Sequence, residues 1–178
     1  MRILPIALPL AFLLSGCSPN GTPAIPVPEP TSAPVFASDE DALAAAKVAY
    51  GEYLAISDLI SQQGGVNPDR LKQAVTPELL AHQVDFFGTF ARSGQHQVGL
   101  STITNVKLER LDDDGHGNVT VTIYACTDFS GTRFLDSVGQ DVTPTMSRAA
   151  TLELEFYLTP SSPLIMSSSG LWSGQSIC

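Results

Sequence analysis

The hydrophobic pattern of this chain changes its period once, at Gly94. Before Gly94, apolar residues recur every three to four positions, which is typical of amphipathic helices. After Gly94, apolar and polar residues alternate, which is typical of half-buried strands. Because the helices precede the strands instead of alternating with them, the pattern predicts an α+β domain whose helices cover one face of an antiparallel sheet.

Capping residues divide the helical part into three predicted helices, over residues 38–63, 67–74 and 76–94. Their expected N-caps are Ser38, Asn67 and Thr76, and proline follows the second and third of these caps. Glycines follow the first helix and close the third, as is common at helix C-termini.

The alternating part predicts an antiparallel sheet of four or more strands. A loop at 112–117 joins the first two strands as a hairpin, and 127–147 forms a shorter arm that turns at Val138–Gly139. The last strand carries Trp172. The main predicted strands are residues 104–110, 119–125, 150–158 and 164–177.

This order of elements resembles a known superfamily. One long helix, two shorter helices and a curved sheet are similar to the cone-shaped, cystatin-like roll of the nuclear transport factor two-like superfamily, which includes ketosteroid isomerases. The resemblance covers residues 38–178 and depends on element order alone. It implies a cone whose interior can serve as a pocket.

The N-terminus has the sequence pattern that predicts an export signal. Residues 3–14 form an apolar run that is too short to span a bilayer, and Leu14-Ser15-Gly16-Cys17 follows at its end. This tetrapeptide resembles a bacterial lipobox. The resemblance implies a diacylglyceryl group on Cys17 and cleavage after Gly16 by signal peptidase II. An ordinary secretory signal with an unmodified Cys17 is the alternative.

The predicted organisation is therefore a signal peptide at 1–16, a lipidated Cys17 with a proline-rich tether through 37, and one domain at 38–178. Residues 18–37 hold six of the 13 prolines, which favours an extended spacer. We expect a lipid-anchored protein on the extracytoplasmic face of the cell membrane, held there by its acyl chains. The formal charge of −9 argues against a nucleic-acid partner.

Cys126 and Cys178 are the two remaining cysteines. In an exported domain disulfides persist, and the two residues end two predicted strands. A disulfide between them would hold the C-terminus on the sheet. Two free thiols, one of them buried, are the alternative.

The sequence contains no strong catalytic or metal-binding motif, and we expect no cofactor and no metal. His82 and Asp85 share a face of the third helix as a weak candidate for a general-base pair, at the margin of the buried stripe. The acidic loop at 112–118 superficially resembles a calcium loop. Its spacing lacks the distant bidentate carboxylate, so a solvated turn is favoured.

Four aromatic residues are the candidate lining of a pocket: Tyr50, Tyr53, Phe86 and Phe90. In a cone-shaped roll they could surround a small apolar ligand. Packing against the sheet is the commoner role of such residues.

Two functions of different classes remain. The first is a non-catalytic binding or accessory module of the cell envelope, whose partner is an envelope protein or a small apolar ligand. The second is a cone-pocket enzyme, an isomerase or dehydratase acting on an apolar substrate. A deep cavity with an inward-facing Asp or His favours the enzyme, whereas a filled core or a purely apolar cavity excludes it.

Overall fold

The computed structural model describes residues 33–145 and 148–178, so the signal peptide, Cys17 and most of the tether lie outside the described residues. Two α-helices and six strands follow one another along this part of the chain, with one 3-10 helix between the α-helices. They are α1 (Asp39–Gln62), the 3-10 helix (Pro68–Gln73), α2 (Pro77–Ser93), β1 (His96–Val98), β2 (Thr102–Asp113), β3 (Val119–Asp128), β4 (Arg133–Leu135), β5 (Ala149–Thr159) and β6 (Ser162–Leu171).

Both α-helices begin at the predicted caps. Oγ of Ser38 accepts a hydrogen bond from the backbone N–H of Asp41 at 3.2 Å, and three acidic residues follow in the first turn, where the helix dipole favours anions. Thr76 caps α2 in the same way, and Gly94 ends α2 in the left-handed conformation.

The short middle helix differs in detail from its prediction. It begins at Pro68 and ends at Gln73, but the side chain of Asn67 makes no capping hydrogen bond. Asn67 has φ 56° instead, a left-handed conformation that asparagine tolerates better than most residues. Asn67 therefore forms a turn out of α1 and is not a side-chain cap.

The strands form a four-stranded antiparallel sheet in the order β2-β3-β5-β6, with the helices packed against one face. This arrangement confirms the predicted α+β class. The inward side chains come from alternate positions of the central strands β3 and β5, as the alternation predicted. They are Val119, Val121, Ile123, Ala125, Leu154 and Phe156.

The β2–β3 ribbon bends at one end. The predicted arm at 127–147 is present there as β4 and the turn after it, but the sequence did not indicate that β1 pairs with β4. Strands β1 and β4 pair with each other in an antiparallel two-stranded sheet immediately beyond the end of β2 and β3. Gly99 lies in the bend at φ +84°, where an added Cβ would be 1.9 Å from the carbonyl oxygen of Gly131. Glycine at position 99 thus allows the two backbones to approach closely.

The last strand is shorter than predicted. Strand β6 ends at Leu171, so Trp172 belongs to a C-terminal tail that folds over the outer face of the sheet. There its ring lies 4.5 Å, between centroids, from that of Tyr124. Pro163 is the second residue of β6, an edge strand where proline is tolerated.

Candidate ligand cavity

A cavity of about 190 Å³ lies between α1, α2 and the bend of the sheet. Aromatic side chains form most of its wall, together with Leu54 and Leu152. They come from both helices, from β4 and from the loop before β4, so the bend is what closes the cavity on one side. The aromatic residues are Tyr50, Tyr53, Phe86, Phe90, Phe129 and Phe134.

The four aromatic residues singled out in the sequence all line this one cavity. Tyr50 and Tyr53 stack on α1 with ring centroids 6.1 Å apart, and Phe86 and Phe90 contact each other on α2 at 5.6 Å. Phe87, between the two phenylalanines, instead points into the core and is fully buried. The aromatic residues therefore divide between cavity wall and core packing.

One end of the cavity is polar, and its centre is Asp58. This carboxylate is 5% exposed and lies one turn after Leu54 and two after Tyr50 on the buried face of α1. Its Oδ1 accepts from Nε2 of Gln97 at 2.8 Å and from Oγ of Ser101 at 2.9 Å. Its Oδ2 accepts from the backbone N–H of Ser101 at 2.8 Å. Asp58 thereby connects α1 to β1 and to the loop that follows β1.

The hydroxyls of the two tyrosines that line the cavity are both hydrogen-bonded within the protein. Tyr50 is hydrogen-bonded to Oγ1 of the buried Thr127 at 2.7 Å, and Tyr53 donates to Oε1 of Gln83 at 3.1 Å. Burial raises the pKa of both tyrosines above the ordinary value for the side chain, and the negative charge of Asp58 raises each pKa further. Both hydroxyls are therefore neutral over the physiological pH range.

Arg148 holds the wall that carries Phe129. Its guanidinium donates to the backbone carbonyl oxygen of Phe129 at 2.6 Å and also to that of Thr132. The backbone N–H of Phe129 in turn donates to the carbonyl of Arg148 at 2.6 Å. These bonds join the loop before β4 to the start of β5.

The other candidate residues lie outside this cavity. His82 and Asp85 are exposed on α2, as their position at the edge of the buried stripe indicated. His96 lies on β1 and His116 in the β2–β3 loop, so the three histidines occupy three different elements. In that loop, Oδ1 of Asp114 accepts from the backbone N–H groups of His116 and Asn118, at 2.7 and 3.1 Å, which is turn geometry.

Cys126 and Cys178 come together at the outer face of the sheet, with their Sγ atoms 2.15 Å apart, a disulfide distance. Further contacts hold the same tail. The side-chain amide of Asn105 donates to the carbonyl of Ile177, and the backbone N–H of Ile177 donates to Oγ1 of Thr151, both at 3.0 Å.

Within residues 33–145 and 148–178, no group of His, Cys, Asp and Glu side chains is arranged to hold a metal ion. No helix in the same ranges is long and apolar enough to cross a membrane.

Sequence reasoning missed the polar end of the cavity. Tyr50, Leu54 and Asp58 follow one another at four-residue intervals, so a readable signal existed: a carboxylate on the buried face of a helix. Gln97, Ser101, Phe129 and Phe134 gave no such signal, because their positions depend on the bend and on the β1–β4 pairing.

Neither protein-family models nor curated proteins match the sequence. Among solved structures, the chain is similar to the intermembrane space region of the chloroplast protein ARC6. The TM-score is 0.55 at 14% identity, over 74% of this chain and 97% of that one. A de novo designed β-sheet protein matches with a TM-score of 0.32 at 14% identity, over 78% of this chain and 93% of that one. At this identity the likeness to ARC6 shows the fold alone.

Proposed function

We propose that this chain is a lipid-anchored envelope protein whose domain binds a small, largely apolar molecule without transforming it. The cavity is the observation that carries the proposal. Six aromatic side chains and two leucines line about 190 Å³ together with polar residues, of which Gln97 and Ser101 are hydrogen-bonded to Asp58. Small-molecule sites typically combine a mostly apolar wall with a few such polar groups.

The anchor is proposed from the sequence, at Cys17 in Leu14-Ser15-Gly16-Cys17. Acyl chains at that residue would keep the domain at the extracytoplasmic face of the membrane, with the tether as a spacer. The negative charge of the chain disfavours direct contact with anionic lipid, so membrane association would depend on the acyl chains. An intermembrane space domain of similar fold, in ARC6, is consistent with an envelope role.

The cone-pocket enzyme is the second candidate, and one observation favours it: a buried carboxylate, Asp58, lines the cavity. The geometry of the polar end favours binding instead. Three neutral groups already donate hydrogen bonds to Asp58, and the hydroxyl of Tyr53 donates a hydrogen bond to Gln83. Both groups therefore stabilise the fold through these hydrogen bonds. A catalytic group at the same position would have to transfer protons as well.

Extraction of the bound molecule tests the proposal. The full chain is purified from membranes in mild detergent, and small molecules released by organic solvent are identified by mass spectrometry. We expect one apolar species or a narrow set of them, enriched over a mock purification. Re-incubation with the pure protein should leave the mass of that species unchanged, whereas conversion into a product would favour the enzyme.

A cavity-filling variant supplies the control. Ser57 lines the cavity on α1, so Ser57→Phe should prevent the molecule from co-purifying. Ser93→Phe places the same ring on an exposed position of α2 and should leave co-purification unchanged. Equal recovery from the two variants would contradict binding in this cavity.

The lipid anchor has its own test. Radiolabelled palmitate should label the chain, and Cys17→Ser should abolish that labelling.

A further inference from the structure

Asp58 is a buried carboxylate whose hydrogen-bond donors, in the ranges that the structure describes, are all neutral groups. Its three donors are an amide, a hydroxyl and a backbone N–H. Among the described residues, no Lys, Arg or His forms an ion pair with Asp58, and the pair between Arg110 and Asp112 lies on the outer surface. Buried charges are ordinarily paired, so a charged group at a cavity wall without a counter-ion points to a charged ligand.

Within the described part of the chain, one acceptor position of this carboxylate has no protein donor. An ionised carboxylate has about four lone-pair positions, and the protein fills two at Oδ1 and one at Oδ2. Asp58 also lines the cavity. A ligand donor at Oδ2 would complete the set without displacing any bond that holds the fold.

The aromatic wall favours the same kind of ligand. A ring face carries negative charge density and attracts cations, and cages of several rings recognise ammonium groups. Tyr50, Tyr53 and Asp58 line the same cavity, so rings and carboxylate belong to one site. The net charge of −9 also attracts cations towards the protein.

We infer that the cavity takes a small organic cation, with an ammonium group at Asp58 and a hydrocarbon or aromatic body among Phe86, Phe90 and Phe134. A cavity of about 150 Å³ holds benzene. The 190 Å³ found here therefore suits one ring with a short amine chain. The inference rests on the proposed function and adds the charge of the ligand.

Three probes of nearly equal size test the inference: phenethylamine, 2-phenylethanol and phenylacetate, which are cationic, neutral and anionic at neutral pH. Binding to the full chain in nanodiscs of neutral lipid is measured by calorimetry, with empty nanodiscs subtracted. We expect the amine to bind about tenfold more tightly than the alcohol, because a hydrogen bond between charged groups is stronger than one with a neutral donor. Phenylacetate should bind least.

Asp58→Asn tests the residue itself. The amine should lose about tenfold in affinity, while the alcohol should bind as before. Asp85→Asn removes the same charge from an exposed position of α2 and should change neither affinity. An amine that binds equally well to Asp58→Asn and to the unaltered chain would overturn the inference.

The comparison of the three probes on the unaltered chain tests the inference even if Asp58→Asn does not fold. An alcohol or phenylacetate that binds as tightly as the amine would overturn the inference but leave the proposed cavity function intact. Failure of all three probes to bind would overturn both.

Discussion

The middle of the sheet and its bent end are stabilised by different means. In the middle, Val121, Ile123, Leu154, Phe156 and Met166 are fully buried and packed together. At the bent end, the side chains surround a cavity, and several of them are partly exposed. Atoms that border a void lose dispersion contacts on one side, so packing contributes less there.

Specific bonds replace packing at the bent end. Tyr50 is bonded to Thr127, Asp58 to Gln97 and Ser101, and Arg148 to the loop carbonyls before β4. The Cys126–Cys178 pair lies at the same end of β3. The comparison indicates that a domain can keep a hollow site if polar and covalent links hold the walls in place.

The largest difference between the two ends should appear when a phenylalanine is truncated. Phe156→Ala should lower the free energy of unfolding by about 3–5 kcal/mol, because it leaves a void in a filled core. Phe134→Ala at the cavity should cost clearly less, since this ring is partly exposed and already borders empty space. Denaturant unfolding of both variants measures the two losses in the free energy of unfolding. Equal losses would remove the distinction between the two ends.

Removal of the covalent link should have the next largest effect. The pair closes a loop across a sequence separation of 52 residues, and on the chain-entropy model the double variant Cys126→Ser/Cys178→Ser should lose up to about 4 kcal/mol. Thiol titration of the denatured, unreduced protein should find neither cysteine reactive. Two reactive thiols from Cys126 and Cys178 would contradict the link, and the bent end would then depend on hydrogen bonds alone.

The buried hydroxyl pair should contribute less than the covalent link. Tyr50→Phe leaves Oγ1 of the fully buried Thr127 without its partner, which should cost about 1–3 kcal/mol. Tyr50→Phe/Thr127→Val removes both hydroxyls and should recover part of that loss in a double-mutant cycle. If the single and double variants are equally stable, the hydroxyls do not stabilise the wall as a pair.

Alkaline pH should lower the stability of the domain through the two tyrosines of the cavity. The pKa of Tyr50 and of Tyr53 is raised in the folded chain, chiefly by burial, whereas unfolded tyrosine ionises near pH 10. The stability that this shift contributes is complete below about pH 10 and is lost as the pH rises towards the folded pKa values. Unfolding midpoints measured from pH 8 to 11 should therefore fall above about pH 10. The fall should be smaller in Tyr50→Phe, and an equal fall in that variant would contradict the assignment.

The smallest effect on stability should come from Phe86. Its ring is 53% exposed at the cavity, so Phe86→Ala should change the free energy of unfolding by at most about 0.5 kcal/mol. The same variant should weaken ligand binding, because it removes part of the aromatic wall. A large loss of stability would show that the Phe86 side chain contributes to core packing.

The amino-acid order was sufficient for the two α-helices, for the main strands and for the fold class. Ser38, Thr76 and Gly94 act through groups a few residues away, so their roles can be read locally. Period-two alternation likewise specified which side chains of β3 and β5 point inward. It could not show that β6 ends at Leu171, because the tail leaves the sheet through contacts with Tyr124, Thr151 and Asn105, which are distant in sequence.

The candidate site likewise has one part that could be recognised from the sequence and one part that could not. The aromatic residues of α1 and α2 were recognisable from the sequence alone, because helical spacing places them near one another. The cavity itself was decided by tertiary structure. Only the close approach of Gly99 and Gly131, with the β1–β4 pairing, brings Gln97, Phe129 and Phe134 to face Asp58 and the tyrosines. A void is a property of packing among distant segments, and no local pattern in the sequence records where side chains fail to fill space.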